Sequence, residues 1–420
     1  MSRTDRTDFD TLAVCAPGVE PLLDAELAAL GIRRRRVVRG GVEAVMRQRQ
    51  LYAANLWLRT ATRVLVRVET FGAGTFHELE RNAALIDWQR WIPAGAAVSF
   101  RVTSHRSRLD HTVAIAERLA AASGAELATT GDRRDDESPD DSAPVARFVV
   151  RLDRNQCTLS ADSSGEPLHH RGWRRQVAKA PLRPTLAAAM LAAVGWPTNP
   201  SPAGRVMFAD PFCGSGTLAI EAALAATGQP PSPGRTFAFM DWADFAAGTW
   251  ASVTAVSSLD DGPVPLIVAA DRDAGAVAAT VANAGRAGVA ELLSVTCASV
   301  SAFAPPPGPP PGPDDVAWVV TNPPWGGRLD SGGDLRDLYA TFGQVMRERF
   351  TRWRVAMLVT DRHLAAHTGL GLDHALVTTS GGIGVQLLVT GPIGEKRDGP
   401  RRRRAPGGPT RPRRGSPKPT

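Results

Sequence analysis

The stretch from Val206 to Ala226 admits few folds. Val206-Met207-Phe208-Ala209 reads as a short buried strand, Asp210-Pro211-Phe212-Cys213-Gly214-Ser215-Gly216-Thr217 as a glycine turn, and Leu218 to Ala226 as an apolar, alanine-rich helix. A strand that turns directly into a helix is the opening unit of a parallel sheet covered by helices. Gly214 and Gly216 let the backbone approach a ligand without a Cβ in the way, and the start of the helix offers unpaired N–H groups to a carboxylate. A nucleotide-like cofactor with a negatively charged tail suits such a turn.

Two cofactors fit that description, a dinucleotide and S-adenosylmethionine. The dinucleotide fingerprint needs a third glycine and an acidic residue about 20 positions on. Here the third glycine is missing, and the next acid to close a convincing strand is Asp271, after Leu266-Ile267-Val268-Ala269-Ala270. Asp271 is nonetheless well placed for ribose hydroxyls at the end of the second strand. In an open sheet ordered 3-2-1-4-5, strands one and four are neighbours at the switch point, where ligands bind beyond the carboxyl ends. The fourth strand, Val316-Ala317-Trp318-Val319-Val320, ends in Asn322-Pro323-Pro324-Trp325. Proline pushes the residue before it out of the helical region, so Asn322 and Pro323 are expected to be extended. The side-chain oxygen of Asn322 and the carbonyl of Pro323 then face one crevice as acceptors for the two hydrogens of an exocyclic amine, with Trp325 stacked on the base. Read alone, the same tetrapeptide is equally a proline-stopped strand and turn, with Gly326-Gly327 behind it.

The two motifs in this order resemble the class I S-adenosylmethionine-dependent methyltransferases that act on exocyclic amines. The flanks narrow the resemblance. Leu168-His169-His170-Arg171-Gly172-Trp173-Arg174, Ala180-Pro181-Leu182-Arg183-Pro184-Thr185-Leu186-Ala187 and Phe237-Ala238-Phe239-Met240-Asp241-Trp242 are similar to the bacterial THUMP-domain RNA guanine-N2 methyltransferases. So are Ala16-Pro17-Gly18-Val19-Glu20-Pro21-Leu22-Leu23, Tyr52 to Arg59 and Ser104-His105-Arg106-Ser107-Arg108-Leu109, giving coverage from about Phe9 to about Ile393. The resemblance implies a Rossmann-like α/β methyltransferase domain over residues 165–394, preceded by a ferredoxin-like domain over 1–66 and a THUMP RNA-binding domain over 67–164. It implies S-adenosylmethionine as cofactor, with Phe212, Gly214, Gly216 and Thr217 at the methionine end and Asp271 on the ribose. Asp210 accepts from the methionine amine or orients the turn, and Leu182, Arg183 and Thr185 cap the cofactor. Asn322, Pro323 and Trp325 form the catalytic set. Arg101, His105, Arg106 and Arg108 are the expected RNA contacts, a cluster that spacing alone reads equally as a solvated face. One departure stands out: where the third strand of this family ends in an acid that accepts from adenine, this chain has Cys297-Ala298-Ser299.

Composition agrees with two or three soluble domains. The chain has 420 residues, 43% of them apolar, and a net charge of +7. Residues Glu395 to Thr420 hold ten Lys or Arg against two acids, so the tail carries the excess and the other 394 residues stand at −1. The tail, with Arg401-Arg402-Arg403-Arg404, is expected to be disordered, either a nonspecific arm for phosphates or a solubilising end, and Asp132 to Pro144 to be a mobile acidic loop. Arg33 to Arg36 read as a solvated edge, and the Pro/Gly run Ala304 to Pro313 as an exposed linker. Four cysteines, Cys15, Cys157, Cys213 and Cys297, share no metal-ligand spacing and are expected to be packed thiols, with no metal. No stretch is long and apolar enough to span a bilayer, so the expected compartment is the cytoplasm.

The expected activity is methylation of a guanine N2 amine in 23S rRNA, with tRNA as the competing substrate. DNA adenine-N6 methylation and a noncatalytic RNA-binding assembly factor are the alternatives from other classes.

Overall fold

The computed structural model describes residues 8–128, 145–175, 182–198, 204–255, 264–325 and 335–394. The acidic loop at 132–144 and the basic tail at 395–420 lie outside the described residues.

The amino-terminal half begins with β1 (Phe9–Val14), α1 (Glu20–Ala29), β2 (Arg35–Val38), β3 (Gly41–Met46), α2 (Gln48–Trp57) and β4 (Arg63–Gly72). It continues with α3 (Phe76–Ala83), β5 (Ala97–His105), α4 (Thr112–Ser123), β6 (Val145–Asp153) and β7 (Gln156–Asp162). All seven strands form one sheet in the order β2-β3-β1-β4-β7-β6-β5. The long β4 joins its halves: Arg63 to Val66 pair with β1, and Leu65 to Gly72 pair with β7. The division expected at residue 66 therefore falls inside a strand. Between α1 and α2 the chain forms a hairpin, because Gly40, at φ 81°, reverses it between β2 and β3. The arginine run opens β2 at the sheet edge, and its members meet acids: Arg34 with Asp8, Arg35 with Asp24 at 2.8 Å, and Arg36 with Glu43. These pairs make it a neutralised, solvated edge.

The carboxyl-terminal half contains α5 (Pro184–Ala193), β8 (Val206–Asp210), α6 (Thr217–Ala226), α7 (Ala247–Thr254), β9 (Leu266–Asp271), α8 (Ala274–Ala287) and β10 (Leu293–Cys297). There follow β11 (Val316–Thr321), α9 (Leu335–Arg349), β12 (Arg354–Val359), α10 (Arg362–Ala366), β13 (Asp373–Ser380) and β14 (Ile383–Val389). The sheet order is β10-β9-β8-β11-β12-β14-β13, parallel from β10 to β12 and closed by the antiparallel β13/β14 hairpin. Both faces are covered, which is why the strands read as apolar runs rather than alternating ones. Phe208 and Val320 belong to the core on one face, while Met207, Ala209 and Val319 belong to that on the other. Helix α6 is buried along its whole length, so no polar face was needed. The Pro/Gly linker is pinned rather than loose: Arg205 donates to the carbonyls of Pro309 and Pro310 and to Asp315.

A buried ionic junction ties the two halves together. Arg171, with no exposed side-chain surface, donates through Nε to Glu221 Oε1 at 2.9 Å and through Nη2 to the carbonyl of Arg59 at 2.6 Å. Arg59 itself donates to the carbonyl of Leu224 at 3.2 Å, and its Nη1 lies 3.8 Å from Glu221 Oε2. Burial holds the Arg59 guanidinium below its usual range. Nearby, Tyr52 stacks on Phe239 at 4.3 Å, and its hydroxyl accepts from the amide of Ala246.

Candidate active site

The carboxyl ends of β9, β8 and β11 lie side by side and carry Asp271, Asp210 and, one residue past β11, Asn322. This is the switch point expected of a doubly wound sheet. The glycine turn is held open between the first two carboxylates. Asp271 Oδ2 accepts from the amide of Gly214 at 3.0 Å, while its Oδ1 accepts from that of Asp273. Asp210 Oδ1 accepts from the amide of Phe212 at 3.1 Å and from the hydroxyl of Thr321 at 2.7 Å. Both bonds fall on the same carboxylate oxygen and tie Asp210 to the turn and to the end of β11.

Gly216, expected at the methionine end of the cofactor, also has a packing constraint. It caps α6 at φ 82°, and a Cβ there would come within 2.6 Å of Thr280 Cγ2. Its lack of a side chain therefore serves close packing of α6 against α8. Thr280 and Asn283, on the buried face of α8, complete the turn by donating to the carbonyls of Gly214 (2.8 Å) and Ser215 (2.9 Å). Sequence reading missed both, although two polar residues three apart in an alanine-rich helix were a signal. Thr217 is buried at the helix start, and Phe212 sits against Phe342. Leu182 and Thr185 are buried at the start of α5, with Arg183 as its N-cap residue, and α5 packs against α6.

Asp210 is 1% exposed, and burial raises its pKa to about 7, helped by the charge of Asp271 and opposed by the bonds from Thr321 and Phe212. A carboxyl raised in the folded state costs stability as pH climbs from its unfolded value of about 3.9 to the folded one, and no further above that. The full cost is at most about 4 kcal/mol. Asp210→Asn keeps an acceptor for both donors and removes the charge. Its melting temperature should exceed that of the wild type by a margin that grows from about pH 4 to about pH 7 and then levels off; a constant margin in thermal melts would show that Asp210 does not titrate in this range.

Past β11 the chain runs through Asn322-Pro323-Pro324-Trp325 without regular secondary structure. Asn322 Oδ1 is buried without a hydrogen-bond partner among the described residues. The tetrapeptide is fixed on its far side: Tyr339 OH donates to the carbonyl of Pro324 at 3.2 Å, and Trp325 Nε1 donates to that of Leu358 at 3.1 Å. Trp325 is half-buried against the core, with its indole edge anchored. Cys213 is buried and its thiol is pushed well above the ordinary range, which makes it a packing residue. Cys297, expected to be packed, is exposed because β10 is the sheet edge. Ser299 is exposed, and its hydroxyl meets that of Ser301 at 2.8 Å.

The basic cluster lies on the amino-terminal sheet. Arg101 is exposed on the edge strand β5, with His105, Arg106 and Arg108 at its end. His105 Nδ1 is 3.3 Å from Asp153, Arg106 takes φ 48°, and the amide of Arg108 donates to Asn155. The adjoining β6/β7 hairpin adds exposed Arg151 and Arg154, which sequence reading left out because they lie about fifty residues away. Among the described residues, no group of His, Cys, Asp and Glu gathers as a metal site, and no helix is long and apolar enough to cross a membrane.

A seven-stranded sheet of this order, with a glycine turn after the first strand and an acid after the second, defines a class I methyltransferase fold, here preceded by a ferredoxin-like domain. Residues 171–376 match the family described as RMKL-like, methyltransferase domain, and residues 10–65 match the RlmL ferredoxin-like domain. The chain belongs to this methyltransferase family. It is 33% identical over 382 residues, 90% of its length, to a ribosomal RNA large subunit methyltransferase K/L of Syntrophotalea carbinolica, and covers 52% of that protein. The chain spans about half the length of the curated relatives it matches. Among solved structures, SMU.472, provisionally assigned as a methyltransferase and complexed with SAH, is 26% identical with a TM-score of 0.77, over 93% of this chain and all of that one. A predicted N6-adenine-specific DNA methylase of Listeria monocytogenes is 27% identical with a TM-score of 0.75, over 92% and 97%.

Proposed function

We propose that the chain transfers a methyl group from S-adenosylmethionine to the exocyclic N2 amine of a guanine in 23S rRNA, in the cytoplasm. The observation that carries this reading is the buried, unpartnered Asn322 Oδ1 beside the turn held by Asp210 and Asp271. A buried acceptor without a donor costs free energy, so its retention beside such a turn points to a donor brought by the substrate. The bound cofactor supplies an activated methyl, and the protein aligns the amine with it. Asn322 Oδ1 and the Pro323 carbonyl accept the two amine hydrogens, which draws the nitrogen lone pair out of ring conjugation. Trp325, held by its edge, offers a face to the base. Asp271 has lone pairs left for the ribose, and Phe212, Gly214, Gly216 and Thr217 border the methionine end; Leu182, Arg183 and Thr185 cap the cofactor from α5. Arg101, His105, Arg106 and Arg108, joined by Arg151 and Arg154, contact phosphates of structured RNA.

The Listeria likeness favours a second reading, methylation of an adenine amine in DNA, because the same acceptor pair suits either base. The amino-terminal sheet with its arginine rim weighs toward RNA. The deciding experiment is mass spectrometry of digested ribosomal and transfer RNA from cells with and without the gene. Loss of N2-methylguanosine confined to ribosomal RNA is the expected result. Loss confined to transfer RNA would move the substrate, and no loss in either pool would overturn the proposal.

A further inference from the structure

We infer that the Thr321 hydroxyl is a positioning group that sets the base pocket against the cofactor turn, so that the two halves of the site are registered by one side-chain hydrogen bond. The inference rests on the methyl-transfer reading above. Strands β8 and β11 are paired from Val206 with Val316 as far as Ala209 with Val319. Beyond that point β11 still pairs with β12, through Thr321 and Met357. The tip of β8 still pairs with β9, through Asp210 and Ala269, but the direct β8/β11 pairing has ended where the turn and Asn322 begin. Thr321 stands in that gap. It is fully buried, and its Oγ1 donates to Asp210 Oδ1 at 2.7 Å across 111 residues of sequence. The same carboxylate oxygen accepts from the amide of Phe212 in the turn, so a short chain runs from the turn through Asp210 to the residue before Asn322.

A buried hydroxyl on this strand costs desolvation unless it is bonded, and valine would fill the same volume in a run already rich in valine. What the hydroxyl adds is register. Methyl transfer needs near-attack geometry, and a shift of about 1 Å costs on the order of 100-fold in rate. Thr321 touches neither reactant in this arrangement and acts through Asp210 and the chain leading to Asn322.

The test compares Thr321→Val and Thr321→Ser in the full chain, by steady-state methyl transfer to RNA and by calorimetric titration with S-adenosylhomocysteine. Thr321→Val should lower kcat about 10- to 100-fold with KM for RNA unchanged, and weaken S-adenosylhomocysteine about 5- to 10-fold, while Thr321→Ser returns both to within about 3-fold of wild type. Wild-type values in Thr321→Val, or an equal loss in Thr321→Ser, overturn the inference. A wild-type protein that methylates no RNA sinks the functional reading instead, and the titration arm then decides the fate of Thr321 by itself. Should the valine variant fail to fold, Thr321→Cys keeps the size with a weaker donor, and intermediate losses on both readouts are expected of it.

Discussion

Asn322→Ala is expected to lower the rate of methyl transfer on the order of 100- to 1,000-fold, comparable to removal of one pre-aimed hydrogen-bonding group from a transition-state site. The argument is differential. Asn322 Oδ1 makes no bond among the described residues, so the truncation breaks no hydrogen bond to that oxygen. Deleting an unsatisfied buried oxygen should leave the melting temperature unchanged or raise it slightly, the trade expected where a site is kept unsatisfied for function. The amine gives up its lone pair to a methyl only as the reaction proceeds, so its hydrogens bind acceptors more strongly in the transition state than in the ground state. RNA affinity and S-adenosylhomocysteine affinity should both stay within a few-fold of wild type. Transfer kinetics, melts and the two titrations on one preparation check this. A large drop in melting temperature would show that Asn322 is a structural residue and that its orphan oxygen is bonded in solution.

How much of this was legible beforehand follows the range of the interactions. The strand, turn and helix from Val206 to Ala226 are set by local rules: apolar run length and glycine. They were read correctly, as was the sheet order, because a right-handed parallel crossover leaves few arrangements. What escaped were polar residues inside apolar runs whose partners lie far off in sequence. Thr321 finds Asp210, Thr280 finds the carbonyl of Gly214, and each looks like filler in its own window. Gly216 was visible as a glycine, but the neighbour that forbids a Cβ there was not. The single long β4 escaped for the opposite reason: its apolar start and mixed end read as one strand and the beginning of the next region, and only pairing with both β1 and β7 makes it a spine. Arg171 was noticed as part of a family-like heptapeptide with no physical task attached. Its task is the junction with Glu221, fifty positions on.

That junction is where the largest loss of stability is expected. Glu221 is wholly buried in α6 between two guanidiniums, Arg171 at 2.9 Å and Arg59 at 3.8 Å. An apolar replacement of all three groups together could be nearly neutral, because each ion has surrendered its hydration to be there. Removing the carboxylate alone is different. Glu221→Ala leaves Arg171 and Arg59 hydrogen-bonded to the carbonyls of Leu168, Arg59, Leu224 and Gln229, with the Glu26 carboxylate as the remaining opposite charge near Arg59, and opens a cavity in a helix buried on every side. Breaking one partner of a buried ionic group costs about 3–5 kcal/mol, which corresponds to a fall of about 3–6 °C in melting temperature for a chain of this size. Glu221→Gln keeps the shape and the acceptor for Arg171 Nε, so the part of the loss it retains measures charge and the part it recovers measures packing. Because Arg59 belongs to the amino-terminal half and Glu221 to the catalytic one, the damage should fall on their docking. Limited proteolysis of Glu221→Ala at 25 °C should cut first between residues 163 and 183, releasing two halves, whereas the wild type resists. A variant that melts within about 1 °C of wild type and resists the protease would mean that the junction is held by the aromatic contacts of Tyr52 and Phe239, and that the ion cluster is tolerated rather than required.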